Sequence, residues 1–327
     1  MYSESKIRKI ENHEGRNAPM DSGVVNSTMQ AQQYEAVIPE MPLTGERISI
    51  NSKIKLSGAT TRVITGAVYF VGSTACILIN EYTLLFLLAI TAAFAAGEFY
   101  YMLRQNSKLP NELIGILGAA SYPLSVWYFG MIGAVYVTLA LLISLLVWYV
   151  FWKRARIGDV AVSLFGAAYT GLLLSPLLTL YDSLPGHWGS VLVFGIYGAV
   201  WLNDVFAYTI GSKFGKHKLA PAISPKKSVE GFIAGLCFSV LIWCIISTLP
   251  GMQLPIWQAI VYGIVCGLAA VLGDLAESRI KRNSGFKDSG TIMPGHGGVL
   301  DRTDSIFLAS AVASTLLILG GNIPNVI

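Results

Sequence analysis

Charge is the scarcest property of this 327-residue chain: Asp, Glu, Lys and Arg make up 13% of it, about half of the roughly 25% that soluble globular proteins carry. That shortage excludes an ordinary soluble domain. With 54% hydrophobic residues it also excludes a chain kept disordered by polarity and net charge. A formal net charge of +4 is too small to suggest a nucleic-acid partner. Cysteine is sparse as well. Cys76, Cys237, Cys244 and Cys266 all lie in apolar stretches, with neither the paired spacing of a zinc site nor the density of a disulfide framework. They read as buried thiols and indicate no redox compartment. The 33 glycines follow no collagen-like period.

What remains is apolar sequence in long runs. The chain divides near residue 60. Residues 1–60 are polar and of mixed charge and read as a disordered cytoplasmic tail, whereas 61–327 form a multi-pass membrane domain. No secretory signal is expected in the tail, because Glu4, Glu11, Glu14, Asp21, Glu35 and Glu40 are scattered through it and no apolar core follows its start. A hydrocarbon core of about 30 Å needs roughly 20 apolar residues per helix. Nine stretches qualify: 63–79, 82–101, 114–129, 131–152, 160–180, 189–210, 229–248, 255–275 and 303–320, the third being the shortest. The expected fold is therefore all-α, a polytopic membrane protein of about nine transmembrane helices.

Cytoplasmic loops collect Lys and Arg. With an inside N-terminus, the inside loops hold Arg104, Lys108, Lys153, Arg154, Arg156, Lys213, Lys216, Lys218, Lys226, Lys227, Arg279, Lys281, Arg282, Lys287 and Arg302, and the outside connections hold none. Nine spans then leave the C-terminus outside. Tyr100, Tyr101, Trp152 and Trp188 near span ends read as interfacial anchors.

Most of the remaining polar chemistry falls in two inside loops, each preceded by a span with an acid near its cytoplasmic end. Ionisable groups at membrane depth are costly and mark functional sites. In the first constellation, Asp204, Tyr208 and Gly211 share a helix face, followed by Ser224-Pro225-Lys226-Lys227-Ser228-Val229-Glu230-Gly231. Ser228 can cap the seventh span, and the free N–H groups there combine with Lys226 and Lys227 into a potential anion site. The bland alternative is a positive-inside anchor with a capped helix.

The second constellation places Asp274, Glu277 and Lys281 on one helical stripe, with Ser278 and Arg282 beside it. It continues through Lys287-Asp288, Pro294-Gly295-His296-Gly297-Gly298 and Asp301-Arg302-Thr303-Asp304. Two acidic faces can converge across this loop. Opposed carboxylates invite a cation, and Mg²⁺ takes one or two carboxylates and completes its shell with water and phosphate oxygens. The Gly-rich turn around His296 can aim backbone N–H groups at an anion; taken alone, it reads more readily as an ordinary reverse turn between two helices.

These residues resemble the phosphatidate cytidylyltransferases, or CDP-diacylglycerol synthases. That signature is matched at Ser278, Ile280, Lys281, Arg282, Lys287, Asp288, Pro294, His296, Gly297, Gly298, Asp301, Arg302 and Asp304. The segments Asn203-Asp204 and Ser224 to Gly231 are also similar, so the resemblance covers most of residues 200–305. Met293 stands where the family favours Leu, Ile or Phe, a tolerable apolar exchange. The resemblance implies transfer of CMP from CTP to phosphatidic acid with Mg²⁺, releasing pyrophosphate at the inner face of a bacterial cytoplasmic membrane. It implies Asp274 and Asp301 as metal ligands, with Asp204 and Asp304 as further ligands or neighbours. Lys226, Lys227, Lys281, Arg282, Lys287 and Arg302 would stabilise phosphates, Asp288 would belong to the catalytic set, and His296 would orient a phosphate. Ser224, Ser228, Ser278, Gly297 and Gly298 would line the substrates. A CTP-dependent kinase of a polyprenol-type alcohol is the nearest alternative; a secondary transporter and a non-catalytic scaffold are more distant, because the acids cluster at one face and no internal repeat is visible. The spacings Gly231-x-x-x-Gly235 and Gly263-x-x-x-Gly267 fit close helix packing, within the chain or in a homodimer.

Overall fold

Backbone polar groups in a bilayer must be satisfied within the segment, so long apolar runs of this kind become helices. A computed structural model of the protein describes residues 58–105 and 108–323. The tail expected over 1–60 lies outside the described residues except for its last three positions, which begin the first helix. The elements are α1 (Gly58–Ile79), α2 (Glu81–Gln105), α3 (Glu112–Phe129), α4 (Ile132–Phe151), α5 (Ile157–Ala167), a π-helical segment (Ala168–Leu172), α6 (Pro176–Tyr181), α7 (Trp188–Phe214), β1 (Lys218–Ala220), β2 (Ser224–Ser228), α8 (Val229–Ile246), α9 (Ile256–Asn283) and α10 (Leu300–Leu319).

Among the described residues, eight helical stretches are long and apolar enough to cross a membrane, against the nine expected, and the chain is a multi-pass membrane protein. The difference is α3, whose 18 residues include Glu112, Ser121, Tyr122, Pro123 and Tyr128. It nevertheless runs the length of the bundle. At its start Asn111 donates its N–H to Ser163 Oγ at 2.8 Å, and near its end Trp127 Nε1 donates to Glu81 Oε2 at 3.2 Å. The span expected over 160–180 is α5 and α6 joined by the π-helical turn, where Leu173 N–H bonds to Ala168 O. There Tyr169 stacks on Phe165 and meets the edge of Phe307.

The bundle has two chemically distinct ends. At one, Leu109 N–H donates to Asp159 Oδ1 at 2.9 Å, Tyr101 meets Phe286 with ring centroids 6.0 Å apart, and the basic loops gather. At the other, Glu81 meets Trp127, and Gln253 N–H donates to Asn322 O at 3.0 Å. The segregation of Lys and Arg read from the sequence is thus a physical separation in the fold. Helices α7 and α9 have 27 and 28 residues, about 40 Å each at 1.5 Å per residue. They exceed the ~30 Å hydrocarbon core, so their last turns project into the basic end and carry the site's acids to its boundary.

Sequential neighbours α7, α8, α9 and α10 pack side by side, with α10 also against α2 and α6. The small-residue stripes serve these contacts. A Cβ on Gly231 would lie 2.9 Å from Gly211 Cα, and one on Gly263 would lie 2.5 Å from Val240 Cα. Gly235 and Gly267 likewise face Asn203 and Leu236. Both motifs are used inside the chain, which removes the feature that had suggested a homodimer.

Three other expectations change. The loop 215–228 holds a short antiparallel hairpin pairing Lys218 with Ser228 and Ala220 with Ser224. Tyr100 is no interfacial anchor: it is fully buried and its hydroxyl donates to Ser163 O at 2.5 Å. Of the four free cysteines only Cys266 is buried, and Cys237 is exposed on α8.

Candidate active site

Close helix crossing assembles the acids. A Cβ on Gly273 would lie 2.5 Å from Asp304 O, so only glycine lets α9 approach α10 this nearly. The next residue, Asp274, thereby reaches Asp304. Carboxylate oxygens of Asp274, Glu277 and Asp304 lie within 4.8 Å of one another. Three acids this close, in a region where Glu277 is fully buried and Asp304 only 7% exposed, require compensating positive charge.

Two lysines supply part of it. Lys227, from β2, pairs with Asp274. Lys281, one turn beyond Glu277 on α9, places Nζ 2.5 Å from Glu277 Oε2 and 2.5 Å from Asp301 Oδ1. The other oxygen of Asp301 accepts from Ser289 N–H at 2.9 Å and Gly298 N–H at 2.8 Å. Gly297 has φ 87° and a Cβ there would lie 2.5 Å from Asp301 Oδ2, so the Gly-Gly pair is what allows the turn to wrap this carboxylate. Ser278 Oγ donates to Asp274 Oδ1 at 3.2 Å.

The hairpin brings the second basic group. Val229 N–H bonds to His217 O, and His217 Nδ1 lies 2.7 Å from Glu230 Oε1, tying the hairpin to the first turn of α8. Ser228 caps that helix, its Oγ accepting from Gly231 N–H at 3.2 Å. Lys226, Lys227 and Ser228 then face a cleft of about 670 Å³ also lined by Asp204, Tyr208, Gly211, Lys218, Asp274, Lys281, Asp288, Asp301, Arg302 and Asp304.

Other expected residues lie elsewhere. Ser224 sits at the far end of the hairpin. Arg282 turns away from the cleft, with Nη1 3.3 Å from Phe286 O. Lys287 lines a separate cavity of about 790 Å³ with Phe94, Tyr101 and Ile116. His296 lines an apolar groove of about 730 Å³ formed by Tyr69, Phe70, Phe194, Trp201, Ile242 and Leu249. That groove includes Asp204, Asp301, Arg302 and Asp304 at its charged end, and from Asp204 it follows α7 back to Val191, about 20 Å along the helix. Arg302 is braced there, Nε and Nη2 donating to His296 O at 3.0 and 2.8 Å.

Sequence reasoning overlooked Glu98. It is 6% exposed on α2 and accepts from Ser289 Oγ, Val299 N–H and Leu300 N–H. An acid inside an apolar span was the available signal. Lys218 in the cleft was also missed as a site residue, having been counted only as loop charge.

Residues 60–319 match the model of the cytidylyltransferase family. The chain belongs to that family. Relatives named phosphatidate cytidylyltransferase include a Staphylococcus saprophyticus protein, 38% identical over 166 residues, 51% of this chain and 62% of the relative. A Staphylococcus haemolyticus protein is 40% identical over 167 residues with the same coverage, and a Mycobacterium bovis protein is 31% identical over 247 residues, 71% of this chain and 79% of the relative. The match thus spans less than two thirds of the staphylococcal relatives' length.

Two predictions concern this cytidylyltransferase-family site. Replacing Lys281 by Met leaves Glu277 and Asp301 as buried acids without their shared cation, and should lower stability by about 3 kcal/mol. Adding Glu277→Gln should recover part of that loss, measured by unfolding of the detergent-solubilised protein. No recovery would mean the lysine contributes through packing alone. Burial, Arg302 and Arg62 hold the His296 imidazole below its ordinary value. The unfolded chain therefore binds more protons than the folded one below about pH 6.5, and this contribution to stability is lost as pH falls from about 6.5 through the lower folded value. His296→Gln should flatten the acid side of a Tm profile between pH 8 and 5.5; an unchanged profile would rule out this assignment.

Proposed function

We propose that this protein is a phosphatidate cytidylyltransferase, joining CMP from CTP to phosphatidic acid to give CDP-diacylglycerol and pyrophosphate. The observation that carries the reading is the shared border of two unlike cavities. The polar cleft at the basic end suits a nucleotide triphosphate, the apolar groove suits an acyl chain at membrane depth, and Asp204, Asp301, Arg302 and Asp304 line both. A lipid phosphate at that border can reach a nucleotide phosphate without leaving the bilayer.

The donor set fits Mg²⁺. Asp274, Glu277 and Asp304 offer only hard carboxylate oxygens, close enough to share an ion. Asp274 and Asp304 would hold it from the cleft, with Asp301 and Asp204 beside them, while Glu277 faces Lys281. Bound there, Mg²⁺ would neutralise triphosphate charge.

The chain's own residues do the positioning. Lys226, Lys218 and Arg302 bind phosphate oxygens from the open side of the cleft. Lys227, paired with Asp274, would be free to bind a triphosphate oxygen if a cation took its place there. Lys281 is a compensating charge for Glu277 and Asp301 rather than a phosphate ligand. A phosphate oxygen of the lipid attacks the α-phosphorus of CTP, the bond to the β-phosphate oxygen breaks, and pyrophosphate leaves into the basic cleft. Phosphoryl-type transfer of this kind depends on alignment and charge stabilisation, so no covalent protein nucleophile is required. The basic end would face the cytoplasm, placing the N-terminus inside and the C-terminus outside a bacterial cytoplasmic membrane.

The test supplies purified protein with phosphatidic acid, Mg²⁺ and CTP labelled at either the α- or the γ-phosphate. Label from the α position should enter the lipid, and Asp301→Asn should reduce the rate by at least about 100-fold. With a polyprenol-type alcohol supplied in place of phosphatidic acid, label entering the alcohol from the γ position would identify a kinase. Transfer from neither would refute the reading.

A further inference from the structure

We propose that Glu98 positions the catalytic segment, holding Asp301 in register from a different helix; the role rests on the cytidylyl-transfer reading above. The N-cap of helix α10 is Val299, which offers no side-chain cap, and a helix start left without acceptors for its first N–H groups is costly when buried. Glu98 takes that place from α2. Its Oε1 accepts from Val299 N–H at 3.0 Å, and its Oε2 accepts from Leu300 N–H and Ser289 Oγ, each at 2.9 Å.

Ser289 carries the connection onward. Its N–H donates to Asp301 Oδ2 at 2.9 Å, and its Oγ accepts from Asp301 N–H at 3.3 Å. One buried carboxylate thus fixes both strands of the loop, at 289 and at 299–300, and these fix the carboxylate that borders both cavities. Glycine usage supports this independently. A Cβ on Gly290 would lie 2.5 Å from Glu98 Oε1, and one on Gly298 would collide with Glu98 Oε2 and Ser289 Oγ. A side chain at the second glycine of the Gly-Gly pair would displace the carboxylate of a residue some 200 positions earlier in the chain.

Glu98 reaches the site only through other residues, so its loss should alter catalysis and metal response more than lipid binding. The experiment compares full-length wild type, Glu98→Gln, Glu98→Asp and Ser289→Ala. Hydrogen–deuterium exchange of the peptide covering 289–301 is read beside kcat, lipid KM and the Mg²⁺ concentration for half-activation. In Glu98→Gln the amide NH₂ faces hydrogen-bond donors. Exchange should rise about tenfold, kcat should fall and the Mg²⁺ requirement rise by about 10- to 100-fold, with lipid KM within about twofold of wild type. Glu98→Asp should restore part of the rate. Should both Glu98 variants fail to fold, Ser289→Ala removes the side-chain bridge between Glu98 and Asp301 N–H while keeping the helix cap and the backbone N–H bond to Asp301 Oδ2, and should lower kcat alone by several-fold. Faster exchange with unchanged kcat and Mg²⁺ response would reduce Glu98 to a structural cap, and unchanged exchange would overturn the proposal. If wild type transfers no label, the reaction reading fails, and exchange alone decides whether Glu98 holds the segment.

Discussion

The site depends on one close crossing, that of α9 and α10 at Gly273. Without a side chain there, α9 lies against the backbone at Asp304, and Asp274 and Glu277 are carried to within reach of Asp304. Mutual repulsion among buried carboxylates is large in a low-dielectric setting, so the crossing persists only with compensation. Lys227 and Lys281 pair with Asp274, Glu277 and Asp301, and the backbone N–H groups of Ser289 and Gly298 add to Asp301. Every major feature of the basic end can be read as serving that balance.

The same arrangement explains why the chemistry sits where it does. The long helices α7 and α9 project past the hydrocarbon core, so the cleft opens to water while the adjoining groove follows α7 toward the opposite end. The hairpin between α7 and α8 brings Lys226 and Lys227 over acids that belong to α9 and α10. Helices α7, α9 and α10 carry Asp204, Asp274, Glu277, Asp301 and Asp304 together with Lys281 and Arg302, while the hairpin adds Lys218, Lys226 and Lys227.

Much of this was legible in the sequence for identifiable reasons. Apolar runs of membrane length are strong signals, and lysine and arginine placement sorted the two ends correctly. The stripe of Asp274, Glu277 and Lys281 follows from helical spacing alone. Helix α3 was harder because Glu112, Ser121, Tyr122, Pro123 and Tyr128 dilute its apolar run, so its composition falls short although its path does not. Periodicity also cannot tell which lysine faces which acid, and Lys281 was assigned to phosphate when its partners are Glu277 and Asp301. Glu98 escaped because its partners lie some 200 residues away, and a single acid in an apolar run gives no hint of them. The hairpin over 218–228 was missed because two short polar strands carry no alternation to detect.

The acids gathered by this crossing are proposed to form a cation site facing the cleft, where a bound ion would displace Lys227 from Asp274. A structure of the protein grown with Mn²⁺ and recorded at the manganese absorption edge tests it most directly. An anomalous peak between Asp274 and Asp304, with Lys227 withdrawn from Asp274, is the predicted result. A peak elsewhere, or none while the Lys227–Asp274 pair stays intact, would contradict the account.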